Sequence, residues 1–125
     1  MWFLQEKIPF SIQRYVNEVE KLYGVLDKRL EGRQYVVGKG KGKYTIVDMT
    51  LVSLANFIRL TTVTLDAFAN VKEWYIRCLE REGVKEGFKV PFAPFTSALG
   101  EMAPELEKQV GELSQVVKEA KGKYA

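Results

Sequence analysis

The chain has 125 residues, 46% of them hydrophobic and 28% charged, with a net charge of +3. That suits one small soluble domain with a core of its own. A single cysteine, Cys78, and no histidine exclude a disulfide framework, a cysteine-only metal site, histidine-based catalysis and most zinc and iron centres, so no metal ligands are assigned. Met1-Trp2-Phe3-Leu4 is apolar, but Gln5, Glu6 and Lys7 follow at once. That start lacks the basic and long apolar regions of a signal peptide, so a cytoplasmic protein is expected.

Pro9 disfavours helix at Ile8, and Ser11 is a good N-cap. Ile12, Tyr15, Val16, Val19, Leu22, Tyr23, Leu26 and Leu30 then recur at steps of three and four. The spacing predicts an amphipathic helix over 11–31, stopped by Gly32. Arg14, Glu18, Glu20, Lys21, Asp27 and Lys28 form its solvated face. Gly24 weakens that helix, and close helix–helix approach is the expected reason for it. Gly38-Lys39-Gly40-Lys41-Gly42-Lys43 comes next. No Gly-Lys-Ser/Thr follows at phosphate-loop spacing, so a mobile surface link is expected.

Thr45 and Asp48 have the spacing of a helix capping box, with Asp in place of the usual Glu or Gln. Behind them, apolar residues from Ile46 to Leu60 cover nearly the whole circumference, which predicts a buried central helix. At about 16 residues, with Asp48 and Arg59 inside, it is too short and too charged to span a membrane. A helix near 67–82 follows, with Val71, Trp74, Tyr75, Cys78 and Leu79 on one side. Trp74 reads as a core anchor and Cys78 as buried and inert.

Gly83 to Phe95, with Pro91 and Pro94, should be irregular, with Phe88, Phe92 and Phe95 against the body of the domain. A last helix starts near Pro104, acidic at its head and basic at its tail, as the helix dipole favours. Ala103, Leu106, Val110, Leu113, Val117, Ala120 and Tyr124 form a heptad seam. It can dock on its own domain or pair with a second chain. With no hairpin or strand pattern, the fold class is all-α. The expected division is a helical domain over 1–92 and an extended linker with an amphipathic helix over 93–125.

Taken together these segments resemble the C-terminal domain of cytosolic glutathione transferases, in the fungal and bacterial branch of the yeast nitrogen regulator and the bacterial disulfide reductases. The likeness rests on four stretches. Ile8-Pro9-Phe10-Ser11-Ile12-Gln13-Arg14-Tyr15, continuing through Leu22-Tyr23-Gly24 to Leu30, looks like that branch's second domain helix. Tyr35-Val36-Val37-Gly38 and Tyr44-Thr45-Ile46-Val47-Asp48 resemble the family's capping-box region. Asp66 to Val71 with Trp74, Arg77 and Arg81 is similar to its next helix, and Gly87 and Pro91 fit its exit. The implied fold is a glutathione transferase C-terminal-like helical bundle, here with an extra C-terminal helix.

The resemblance implies a transferase that uses glutathione as thiol nucleophile on a small hydrophobic electrophile, by conjugation or assisted isomerisation. In the family a thioredoxin-like domain ahead of this one holds glutathione and activates its thiol. No residue of this sequence matches that activating group, and the family's first helix looks cut short after Trp2-Phe3-Leu4-Gln5. Glu82 stands where the family usually has proline, and residues 93–125 have no assigned counterpart. Arg14 matches an arginine that approaches the glutathione of the neighbouring subunit; the plain alternative is an ion pair with Glu18. Trp2 and Phe3, with Phe92 and Phe95 as a cover, are the candidate substrate-pocket residues. The implied partners are a homodimer mate or a separate thioredoxin-like domain. A non-catalytic interaction module of the same fold is the alternative. Sixteen acidic residues among 19 basic ones speak against nucleic acid, and a binder through Lys39, Lys41 and Lys43 ranks third.

Overall fold

The computed structural model describes residues 8–89 and 104–124. These residues form five α-helices: α1 (Pro9–Leu30), α2 (Ile46–Asn56), α3 (Ala69–Leu79), α4 (Glu82–Gly87) and α5 (Pro104–Tyr124). Short 3-10 turns at Phe57–Leu60 and Leu65–Ala67 link α2 to α3. Among the described residues there is no strand, only an antiparallel bridge between Val37 and Lys43. The all-α expectation therefore holds. No described helix is long and apolar enough to cross a membrane.

Helix α1 begins at Pro9 rather than Ser11. Proline has no N–H to leave unsatisfied and its fixed φ suits the first turn, so it opens the helix. Ile12, Val16 and Leu30 bury one stripe of α1. Helix α3 buries Val71, Trp74, Tyr75 and Cys78 completely, as their spacing requires. Helix α1 packs on both α3 and α5, and α2 packs on α3. The seam of α5 buries Val117 and Ala120, and Val117 joins the same core cluster as Ile12 and Val16. Its docking partner in this structure is thus the chain's own α1. Leu106 and Tyr124 have no described side-chain environment, and Ala103 lies outside the described residues.

Three local expectations fail, each for a physical reason. The central helix is shorter than its apolar run, because α2 gives way to a 3-10 turn at Phe57. It is also buried on one side only, with Ile46 76% and Leu54 58% exposed. Residues 82–87 are helical, where glycines had suggested irregular chain. Glu82 sits in the first turn and Lys85 in the last, where each charge suits the helix dipole.

Gly24 is the third. A methyl group there would meet nothing within 4 Å among the described residues, so no described helix demands the glycine. Gly24→Ala should therefore stabilise the fold by about 0.5–1 kcal/mol through backbone entropy and helix propensity. A urea melt that shows no gain would contradict that.

Candidate functional site

Helix α2 is positioned by the capping box. Thr45 at the N-cap is extended, with φ −137° and ψ 177°, and its hydroxyl accepts from the Val47 N–H at 3.3 Å. Asp48 Oδ2 accepts from the Thr45 N–H at 3.0 Å and from its hydroxyl at 3.3 Å. The other oxygen reaches further than a cap. Asp48 Oδ1 accepts from the Val36 N–H at 3.1 Å and from Trp74 Nε1–H at 2.9 Å. The carboxylate is fully buried, and its charge is met by these donors and by the N-terminus of α2. It ties the loop before α2 to α3 through one side chain.

With its inner face fixed in this way, α2 turns a second face outward. At about 100° per residue, Met49, Ser53, Ile46, Thr50, Leu54 and Val47 occupy one continuous arc of about 160°. Phe57 extends it, and it is 50% exposed, as is Met49. No charged residue falls in the arc. Its two hydroxyls are spent on the helix itself: Thr50 donates to the Ile46 carbonyl at 3.0 Å and Ser53 to the Met49 carbonyl at 3.1 Å. What the face offers is therefore apolar throughout. Contiguous apolar surface of a few hundred Å2 marks a binding or association surface more often than it marks plain exterior.

Of the other site residues assigned from sequence, only Arg14 is among the described residues. Arg14 is exposed on α1. It forms no ion pair among the described residues, and Glu18 faces Lys21 at 4.0 Å instead. Trp2, Phe3, Phe92 and Phe95 lie outside the described residues. A pocket of about 220 Å3 opens between the end of α1, the following loop and α3, lined by Leu30, Arg33, Gln34, Lys41, Asn70 and Glu73. Its lining is mostly polar, which does not suit a hydrophobic acceptor.

Sequence reasoning missed Asp27, which it placed on the solvated face of α1. Asp27 instead caps α3 from outside: it accepts from the Val71 N–H at 3.0 Å and from Asn70 Nδ2–H at 3.0 Å. The N-cap residue of α3, Phe68, has no side chain able to do so. The available signal was the absence of any capping residue before Ala69. It shows that a cap is needed, not where it comes from.

Cys78 is buried as expected. Burial pushes its thiol up to about 12 from an ordinary 9.0, the Asp48 carboxylate adds to this, and Arg77 and Arg81 pull the other way. Burial likewise raises the Tyr23 phenol to about 12, with Tyr75 adding to the shift. Below pH 9 the Cys78 thiol is neutral in both folded and unfolded chains, and its contribution to stability is intact. Between about pH 9 and 12 the unfolded state loses its proton first, so stability falls as pH rises. Native Cys78 should accordingly react with a disulfide reagent at pH 8 about a thousand-fold more slowly than a free thiol. Cys78→Ala should flatten part of the alkaline limb of stability. Rapid labelling of the folded protein would refute this placement.

The chain matches the family model described as glutathione S-transferase, C-terminal domain, over residues 11–82. That is more than half of its length, and it includes α1, the capping box, α2 and α3. The chain belongs to the glutathione S-transferase C-terminal domain family. It is 30% identical over 96 residues to "Glutathione S-transferase-like protein tpcF" of Aspergillus fumigatus, covering 68% of this chain and 42% of that protein. It is 33% identical over 76 residues to "Disulfide-bond oxidoreductase YfcG" of Escherichia coli, covering 61% of this chain and 34% of that protein. It is 36% identical over 62 residues to "Glutathione S-transferase 1" of Schizosaccharomyces pombe, covering 47% and 26%. The chain thus spans between about a quarter and two fifths of the length of these curated relatives. The matched region holds the Thr45–Asp48 cap and Arg14, and it stops short of α5.

Proposed function

We propose that this chain is the helical half of a glutathione transferase-like protein. In this reading glutathione supplies a thiolate that attacks the electrophilic carbon of a small hydrophobic substrate. A carbon–sulfur bond forms, and the displaced group leaves or the adduct takes up a proton. Conjugation and glutathione-assisted isomerisation both start from that attack. The residue that activates the thiol would come from a separate thioredoxin-like domain. The helices of this chain would shape the acceptor side, with Trp2, Phe3, Phe92 and Phe95 as candidate wall residues.

The observation that carries the reading is the uncharged outer face of α2 in a chain of this family. Ile46, Met49, Leu54 and Phe57 offer apolar area where a second domain or a homodimer mate would exclude water. Arg14 would bring positive charge to the glutathione of a neighbouring subunit.

Thermal melting with and without 5 mM glutathione tests the proposal, alone and with a thioredoxin-like domain of the family added. Binding to the native state raises the melting temperature, by an amount set by the ratio of ligand to dissociation constant. The expected result is a shift that needs the second domain and shrinks in Arg14→Ala. No shift in either case, together with no conjugation of a model electrophile, would favour the non-catalytic module.

A further inference from the structure

The Gly-Lys loop has no part in that reading, and its geometry is not that of a loose link. Every carbonyl from Gln34 to Lys39 accepts a hydrogen bond. Arg77 donates to Gln34 at 2.9 Å, Arg33 to Tyr35 at 3.3 Å and to Gly38 at 2.6 Å, and Arg29 to Val36 at 3.0 Å. The Lys43 N–H donates to Val37 at 2.7 Å and the Gly42 N–H to Lys39 at 3.1 Å. The Lys41 carbonyl in turn accepts from the N–H groups of Gln34 and Tyr35, at 2.7 and 3.1 Å. Gly42 is required for this closure: its φ is +84°, and a side chain would meet the Val37 carbonyl at 2.9 Å and the Tyr35 carbonyl closer still.

The result is a fixed strap that gathers charge. Lys39, Lys41 and Lys43 are exposed along it. The three arginines that clamp its carbonyls come from α1, the turn after it and α3. A fourth, Arg81, lies over the Tyr44 ring at 3.8 Å from its centre. None of these cations forms an ion pair with a carboxylate among the described residues. Glu73 borders the strap beside Arg33 and Lys41, and Asp48 lies buried beneath it. Composition averages the two signs over the whole chain; at the strap the cations outnumber the neighbouring carboxylates.

We propose that this strap, with Arg29, Arg33, Arg77 and Arg81, is a binding surface for the phosphodiester backbone of a nucleic acid. A linear polyanion with one charge per nucleotide can meet many spaced cations at once. Only glycine separates the lysines, so the Gly-Lys run itself places no apolar side chain that could insert into a bilayer. Base reading is not part of the site. The Tyr44 ring is covered by Arg81 on one face and packs at 71° against Tyr35, with ring centres 5.5 Å apart, so it is already engaged within the chain. Single-stranded DNA and RNA should therefore bind alike, without sequence preference. This holds whether or not the chain serves a transferase.

Fluorescence polarisation with labelled 20-mer single-stranded DNA and RNA of mixed sequence tests the proposal. Contact with about four phosphates implies that affinity falls roughly fifty-fold between 50 and 200 mM salt. The triple variant Lys39→Gln, Lys41→Gln, Lys43→Gln should bind at least ten-fold more weakly at 50 mM salt. Its log–log salt slope should be shallower by about 2. Gly42→Ala keeps every charge but breaks the closure, and should weaken binding several-fold. Removing three lysines of α5 (Lys108→Gln, Lys118→Gln, Lys123→Gln) should change affinity less than two-fold. No binding at 50 mM salt would overturn the proposal. So would an equal loss in the α5 variant, or tighter binding to phosphatidylserine vesicles or polyglutamate than to either oligonucleotide.

Discussion

Asp48→Ala is expected to cost the fold about 4 kcal/mol, enough to leave it barely stable if the parent lies at the low end for small domains. Its carboxylate receives the Val36 and Thr45 N–H groups and the indole N–H of Trp74, a fully buried ring. Each orphaned donor costs on the order of 1–3 kcal/mol. Val36 and Thr45 are half-buried and can recover some water, so the combined loss is about 4 kcal/mol. Small domains have roughly 5–15 kcal/mol in all. In a urea melt the midpoint should fall by about 2–3 M, or the transition should vanish.

Asp48→Asn is the informative partner. An amide has one acceptor oxygen, and the two carboxylate oxygens each serve two donors here. One pair of donors must lose its acceptor whichever way the amide turns, so Asn should cost about half as much as Ala. Thr45→Ala removes only the hydroxyl cap, worth about 1 kcal/mol. A midpoint for Asp48→Ala within about 0.5 M of the parent would show that the network is not what joins α2 to α3.

The second large effect is expected at Asp27. Asp27→Ala strips α3 of its cap: the Val71 N–H and the Asn70 amide lose their acceptor, and the positive end of the helix loses a nearby carboxylate. A loss of about 2 kcal/mol follows from the cap and the orphaned buried N–H together. Asp27→Asn keeps one acceptor oxygen and should cost about 1 kcal/mol. Amide hydrogen exchange separates this from general destabilisation, because protection should fall first at Val71 and Lys72. Uniform loss across α1 and α3 would argue against a local cap.

Much of this architecture follows from short-range rules. The threonine–aspartate box, the buried stripe of α3 and the start of α5 at Pro104 all depend on residues within one or two helical turns. Backbone geometry alone makes positions three and four apart neighbours, so spacing suffices to read them. The second pair of bonds to Asp48 comes instead from Val36 and Trp74, 12 and 26 residues away. The cap on α3 comes from a helix 44 residues earlier. No local pattern encodes such pairings.

The same divide runs through the candidate sites. An apolar run announced that α2 would be buried somewhere, but hydropathy has no knowledge of which neighbours exist to cover it. The described helices supply cover on one side only, so Ile46, Leu54 and Phe57 face outward. The alternating glycines and lysines were plain in the sequence. Arg29 and Arg33 reach the strap's carbonyls from within seven residues, but that Arg77 would join them and add its charge was decided by the packing of α3 against the strap. Helix identity here is a matter of local spacing; the Asp27 cap on α3, the open face of α2 and the Arg77 contribution to the strap exist only once distant segments meet.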